Sequence, residues 1–223
     1  IYSKPPKILF FKSHIKNLIK SLKAYKISED NIKNIILNLI KKNINKKISY
    51  NHLLRVALNK KIISISLRKK ISPKLNFELK LVNLKREKPQ YKNLKYKKIL
   101  SHLSKMDNSK SDIALFYKNK ILETGTSNLL FIKGKKVFTP KKDYYEGNTY
   151  KFFRTKIKGI IKKDIFINDI KNYDEILLVG SGKGVTSVEK IKKIAWKRKN
   201  LKQYKIFLKN YRLAINSCKL HKF

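Results

Sequence analysis

The residues with the clearest chemical promise lie in Ile121-Leu-Glu-Thr-Gly-Thr-Ser-Asn-Leu-Leu-Phe-Ile132. One carboxylate, Glu123, is followed by small and polar residues and then by an apolar run over 129–132. Small residues let a backbone approach a bound molecule closely, and a strand behind a loop gives that loop a rigid support. The pattern equally describes a hairpin with a polar turn, so this stretch alone leaves both readings open. A second stretch, Gly180-Ser-Gly-Lys-Gly184, resembles half of a nucleotide phosphate loop. The leading glycine of that motif is missing and no Ser or Thr follows Lys183, so a nucleotide site is rejected.

Periodicity outlines the elements that must hold these groups. Residues 112–117 read as a strand before Glu123, and Lys135-Lys-Val-Phe-Thr-Pro140 reads as a strand closed by proline. Upstream, 8–11 reads as a short strand, and Ile15, Leu18, Ile19 and Leu22 form a helical apolar face. Ser28 with Glu29 and Asp30 reads as an N-cap with acids in the first turn. Ile32, Ile35, Ile36, Leu39 and Ile40 then mark a second helix. Strand-like runs cover 52–58, 62–67 and 76–84. Arg86-Glu-Lys-Pro-Gln90 is polar, contains proline and lacks periodicity, which makes it the linker candidate. Helices are expected over 95–105, over 147–162 with Phe152, Phe153, Ile157 and Ile160 inward, and over 201–215 with Tyr204, Leu208, Tyr211 and Ile215 inward. A strand is expected over 174–179. The pattern predicts an α/β (α+β) chain with a small N-terminal domain over 1–88 and a larger one over 89–223.

Four segments, in order, resemble class IV aminotransferases, the pyridoxal-phosphate enzymes of fold type IV. Asn93-Leu-Lys-Tyr96 is similar to the segment that holds the Schiff-base lysine. Glu123, Thr126-Ser127-Asn128, the apolar strand and Thr139-Pro140 are similar to the cofactor-binding segment. Glu146-Gly-Asn-Thr149 resembles the turn that opens a helix under the cofactor phosphate. Asp174 to Val188 resembles the late strand and second phosphate loop.

The resemblance implies pyridoxal 5′-phosphate as cofactor, held in a cleft between two domains, and a homodimer. It implies Lys95 as the amine that anchors the cofactor and Glu123 as the carboxylate facing its pyridine nitrogen. Asn128 would support the loop. Asn148 and Thr149, at the start of the helix, would bind the phosphate, with Ser181 and Gly182 as a second wall. One departure stands out. The family places an arginine in a His-x-x-Arg-Leu segment to grip the phosphate, and His14-Ile-Lys-Asn-Leu18 has Asn17 there. Tyr150 also stands where an arginine often follows the Gly-x-Thr turn. Branched-chain aminotransferases carry a tyrosine where Leu100 stands, whereas the lyases and the D-amino-acid transaminases resemble this chain there. Its length suits the compact lyases better, so aminodeoxychorismate lyase, which releases pyruvate and 4-aminobenzoate for folate synthesis, is preferred. The alternatives are an amino acid aminotransferase of branched-chain or D-amino acid type, and a non-catalytic basic relative that binds nucleic acid.

The chain of 223 residues is 42% hydrophobic, enough for a sizeable core, and carries a formal charge of +42. Such a field attracts nucleic acid or anionic membrane. The basic residues, however, are 50 Lys and 6 Arg, spread over the whole chain. Arginine is the better reader of bases and phosphates, and abundant Lys, Ile, Asn, Tyr and Phe are what an AT-rich coding sequence imposes. No specific nucleic-acid partner is expected. One cysteine, Cys218, excludes a disulfide framework and fits a reducing cytoplasm. No membrane span or signal peptide is visible. Set against the family, the first strands of the N-terminal domain are absent, and a fragment is expected.

Overall fold

A computed structural model of the chain describes residues 1–27 and 30–219. Its contacts divide the chain into two units, Ile1–Lys70 with Arg212–Phe223, and Ile71–Tyr211.

The first unit contains β1 (Tyr2–Ser3), α1 (Phe11–Ala24), α2 (Ile32–Asn43), β2 (Tyr50–Leu58) and β3 (Ile63–Lys69). Apolar residues one helical turn apart shape its core. Ile15 and Leu22 of α1 and Ile32, Ile36 and Ile40 of α2 are buried, with Leu54, Val56, Ile63 and Ile65 of the β2–β3 hairpin against them. The strand expected over 8–11 is not formed. Phe10 adopts a left-handed conformation and α1 begins at Phe11, while the opening strand is Tyr2–Ser3, paired to β2. The cap expected at Ser28 with Glu29 lies outside the described residues, and α2 starts after Asn31. Asn17 is buried on α1.

The second unit contains β4 (Phe77–Asn83), α3 (Lys97–Leu103), β5 (Ser111–Tyr117), β6 (Lys120–Thr124), β7 (Asn128–Lys133), β8 (Lys136–Pro140), α4 (Asn148–Lys156), β9 (Ile160–Lys163), a 3-10 turn at Ile167–Asn172, β10 (Glu175–Gly180), β11 (Gly184–Lys192), β12 (Trp196–Lys197) and α5 (Lys202–Asn216), whose last turn counts with the first unit. Among the described residues its strands form one mixed sheet in the order β6-β5-β4-β11-β10-β7-β8-β9, with β12 on β11. The pairs β4–β5, β4–β11 and β8–β9 are parallel and the remainder antiparallel. Central strands covered on both faces must be apolar throughout, which is why 129–132 and 176–179 are uninterrupted apolar runs. One face carries Phe77, Leu79, Leu129, Phe131, Ile176, Leu178 and Val188. Near β5, Ile113 and Leu115 pack with Val82 and with Ile99 and Leu103 of α3. Burying each such side chain stabilises the fold by about 1.5–3 kcal/mol before entropy is counted.

Two sequence expectations shift here. The strand at 76–84 was assigned by composition to the N-terminal domain, but β4 pairs on both edges, with β5 and β11, inside the large sheet. The units therefore part at Lys70/Ile71, ahead of the 88/89 position, because strand pairing outweighs the polar linker signal. The helix expected over 147–162 ends at Lys156. Gly159 takes a φ of 84°, which reverses the chain, and Ile160 enters β9 beside β8. In α5 the deeply buried residues are Phe207 and Tyr211. No helix among the described residues is long and apolar enough to cross a membrane.

Candidate active site

Glu123 stands next to last on β6 and is only 5% exposed. A carboxylate placed there needs a partner. Arg86, just after β4, supplies it: Nε donates to Oε1 at 2.6 Å and Nη2 to Oε2 at 3.2 Å. Nη2 also donates to the Pro89 carbonyl at 2.8 Å, and the backbone N–H of Tyr145 donates to Oε2 at 3.2 Å. Burial pushes the Glu123 carboxyl up, against the pull of Arg86, of the Tyr145 N–H and of the Lys92 charge, and the net direction is upward. At Arg86 burial acts downward, but Glu123 outweighs it and holds the guanidinium above its ordinary value. The contact is a buried ion pair whose carboxyl titrates above the ordinary carboxylate range.

A short strap, 145–147, links this pair to α4. The Asn128 side chain holds the strap from the start of β7, its Nδ2 donating to the Tyr145 carbonyl at 2.6 Å and its Oδ1 accepting from the Gly147 N–H at 3.0 Å. Gly147 is the N-cap of α4 and has no side chain with which to cap it. The N–H groups of a first helical turn have no partner within the helix. Asn148 and Thr149 open the helix, both buried, and the Thr149 hydroxyl has no hydrogen-bond partner among the described residues.

Strand register brings the last segment in. Val179 of β10 lies opposite Asn128 of β7. Gly180 therefore sits against Ser127, where a Cβ would come within 2.6 Å of the Ser127 Oγ. The turn through Ser181 and Gly182 thus leaves the sheet beside Asn128. Glu123 and Asn128 contact one strap, Asn148 and Thr149 open the helix that follows it, and Ser181 and Gly182 follow the strand paired with Asn128.

Lys95 is engaged by Glu87. Its ammonium makes an ion pair there at 2.7 Å, its side chain 58% exposed. A lysine whose charge acts on Glu123 is Lys92, and its ammonium stands 5.3 Å from the centre of the Tyr145 ring, next to the strap. Sequence gives little to separate the two, since both lie in a lysine-rich run. Arg86 and Tyr145 also escaped the sequence reading. The usable signal for Arg86 is its rarity: where 50 of 56 basic residues are lysine, an arginine marks a place that needs the fork.

These elements in this order are shared with known proteins. The model of the family described as amino-transferase class IV matches residues 1–191. A search of curated proteins returns no match. Solved structures with the same fold include a protein of Legionella pneumophila subsp. pneumophila str. Philadelphia 1 to which 4-amino-4-deoxychorismate lyase activity is ascribed (18% identity, 94% of this chain and 88% of that chain, TM-score 0.73). A branched-chain aminotransferase from Thermoproteus uzoniensis is similar at 14% identity, over 94% of this chain and 80% of that one, TM-score 0.72. The PLP-bound form of a hypothetical aminotransferase from Mycobacterium tuberculosis is similar at 13% identity, over 97% and 87%, TM-score 0.70. The family match spans most of the sequence, and the chain belongs to the class IV aminotransferases, a family of pyridoxal 5′-phosphate-dependent enzymes.

Proposed function

We propose that this chain binds pyridoxal 5′-phosphate at the strap between β8 and α4 and acts on the amino group of a small substrate, with aminodeoxychorismate lyase chemistry as its reaction. The observation that carries the reading is the buried Glu123 carboxylate beside a helix start whose Thr149 hydroxyl is buried and without a hydrogen-bond partner among the described residues. The residues present fit the cofactor, with a carboxylate for the pyridine nitrogen, an amine nearby, and N–H and hydroxyl donors for the phosphate.

When bound, the cofactor supplies an electron sink for charge that develops at the substrate Cα. Glu123 would hold the pyridine nitrogen and keep its proton in place. Arg86 holds Glu123 in one orientation through its fork. Thr149, the N–H groups of the first turn of α4, Ser181 and Gly182 would take the phosphate, and Asn128 fixes the strap between the two ends. Lys92, not Lys95, is the amine we assign to the cofactor aldehyde and to proton transfer at the substrate Cα. Leu100 draws its meaning from Lys95 as anchor, so with Lys92 in that role it no longer separates lyase from transaminase.

The lyase reading is supported by the Legionella neighbour, of which the chain spans 88% against 80% of the Thermoproteus aminotransferase. Amino acid transamination is the second reading, supported by the likeness to that aminotransferase. Incubation of the yellow holoprotein with aminodeoxychorismate, and separately with paired amino and keto acids, decides between them. Pyruvate with 4-aminobenzoate supports the lyase, and a new amino acid supports the transaminase. A protein that never takes up the cofactor overturns the proposal.

A further inference from the structure

We infer that Asp112 and Lys183 are positioning residues that tie the second phosphate wall to the arm carrying Glu123, an inference that rests on the cofactor reading above. Asp112, at the start of β5, is wholly buried, and Lys183, in the turn between β10 and β11, is 7% exposed. The Lys183 ammonium donates to the Asp112 Oδ2 at 2.9 Å across 71 positions of sequence. The same oxygen accepts from the Thr126 hydroxyl at 2.5 Å, and Oδ1 accepts from the Ile113 N–H at 2.8 Å. The ammonium also lies 4.8 Å from the centre of the Phe77 ring, within cation–π range.

A buried ion pair is an expensive way to stabilise a fold, because desolvation of both charges offsets their attraction. What it does provide is geometry. One carboxylate here fixes two turns at once. Thr126 belongs to the turn between Glu123 and Asn128, and Lys183 immediately follows Ser181 and Gly182. Both turns are already close, since Gly180 presses on Ser127. The far side of the Lys183 turn is closed as well. Gly184 has a φ of 68°, and a Cβ on it would meet the Tyr211 ring at 2.9 Å. Held from both sides, the 181–183 turn has one place to be, and that place is set relative to the arm that follows Glu123. Phosphate and pyridine contacts are thereby kept at a fixed separation.

The test uses the whole chain and two probes, pyridoxal 5′-phosphate and unphosphorylated pyridoxal, with affinities read by cofactor absorbance. The double variant Asp112→Asn with Lys183→Met removes both buried charges together, so neither is stranded, and its thermal stability stays near the starting protein. Its affinity for pyridoxal 5′-phosphate is expected to fall on the order of tenfold while that for pyridoxal is unchanged, since only a ligand that makes both the phosphate and the pyridine contact senses the separation of the two turns. Lys183→Arg, which keeps the charge and the donor, restores phosphate affinity. Should the double variant fail to fold, Thr126→Val decides, with a smaller loss confined again to the phosphorylated probe. Undiminished affinity for pyridoxal 5′-phosphate, or an equal loss for both probes, overturns the inference. Failure of the cofactor reading itself is seen separately, as an unaltered chain that does not bind pyridoxal 5′-phosphate.

Discussion

The Arg86 guanidinium meets the Glu123 carboxylate side-on, Nε to Oε1 and Nη2 to Oε2, with both side chains almost closed to solvent at 5% and 7%. Two N–H groups on one planar fork fix the plane of the carboxylate as well as its position. A lysine would hold the charge without holding the plane. The fork also leaves Arg86 Nη1 buried without a partner among the described residues.

Removing one member of this pair strands the other. Arg86→Met is expected to lower stability by about 3–5 kcal/mol, the range for breaking a buried pair from one side. Glu123→Gln keeps the shape and one accepting oxygen but leaves the guanidinium without its anion, so it too should lower stability. The folded variant should keep bound cofactor and lose most turnover, because the pyridine nitrogen loses its anion. Thermal denaturation and single-substrate kinetics read the two effects. Turnover in Glu123→Gln at the level of the unaltered protein would remove Glu123 from the mechanism.

The anchor amine has a direct chemical readout. Borohydride reduction in the presence of cofactor is expected to leave the label on the peptide that carries Lys92. Lys92→Ala should bind cofactor reversibly and show no turnover. Lys95→Ala should lose the exposed contact to Glu87 and keep both cofactor and turnover. A label on Lys95 would restore the assignment implied by the sequence resemblance.

Most of the second unit was legible in the sequence. The apolar runs at 129–132 and 176–179, Thr139-Pro140 and the small residues around Asn128 placed β7, β8 and β10 and the turns between them. The choice between Lys92 and Lys95 was less legible, because both lie on a loop without periodicity in a lysine-rich run. Arg86 was hidden for a related reason: its polar, proline-containing surroundings describe a linker, and its burial comes from β6 and the strap, which are distant in sequence. The end of α4 turned on the backbone angle at Gly159, which the apolar spacing of Ile157 and Ile160 concealed.

Acid below the ordinary carboxylate range is expected to destabilise this protein, with the raised Glu123 carboxyl acting in the opposite sense. Its 14 acidic residues are outnumbered by 56 basic ones, so each carboxylate sits in a positive field. The backbone N–H of Gly134 and the Lys199 ammonium hold Asp174 below the ordinary carboxylate range. At Glu146 burial acts upward, but Lys162 and Arg154 outweigh it and the net direction is down. A carboxyl with a depressed folded pKa contributes stability that is complete above its unfolded value and is lost as pH falls through the folded value. The melting temperature should therefore be flat near neutrality and fall as pH drops below the ordinary carboxylate range. Glu146→Gln should reduce that slope. A melting temperature that rises on acidification would contradict this.

The sharpest test of the phosphate site uses a substitution that ought to cost the fold nothing. The Thr149 hydroxyl is fully buried on the first turn of α4 and donates to nothing among the described residues. A buried hydroxyl without a partner costs about 1–3 kcal/mol of desolvation. Valine has the same shape without that penalty, so Thr149→Val should leave the cofactor-free protein at least as stable as before. If the hydroxyl is kept for the phosphate, the same change should weaken pyridoxal 5′-phosphate binding by roughly tenfold, the equivalent of one hydrogen bond to a charged group. Pyridoxal, which lacks the phosphate, should bind unchanged. Stability that rises while phosphate affinity falls identifies a group retained for its ligand. Unaltered affinity for pyridoxal 5′-phosphate would move the phosphate away from α4.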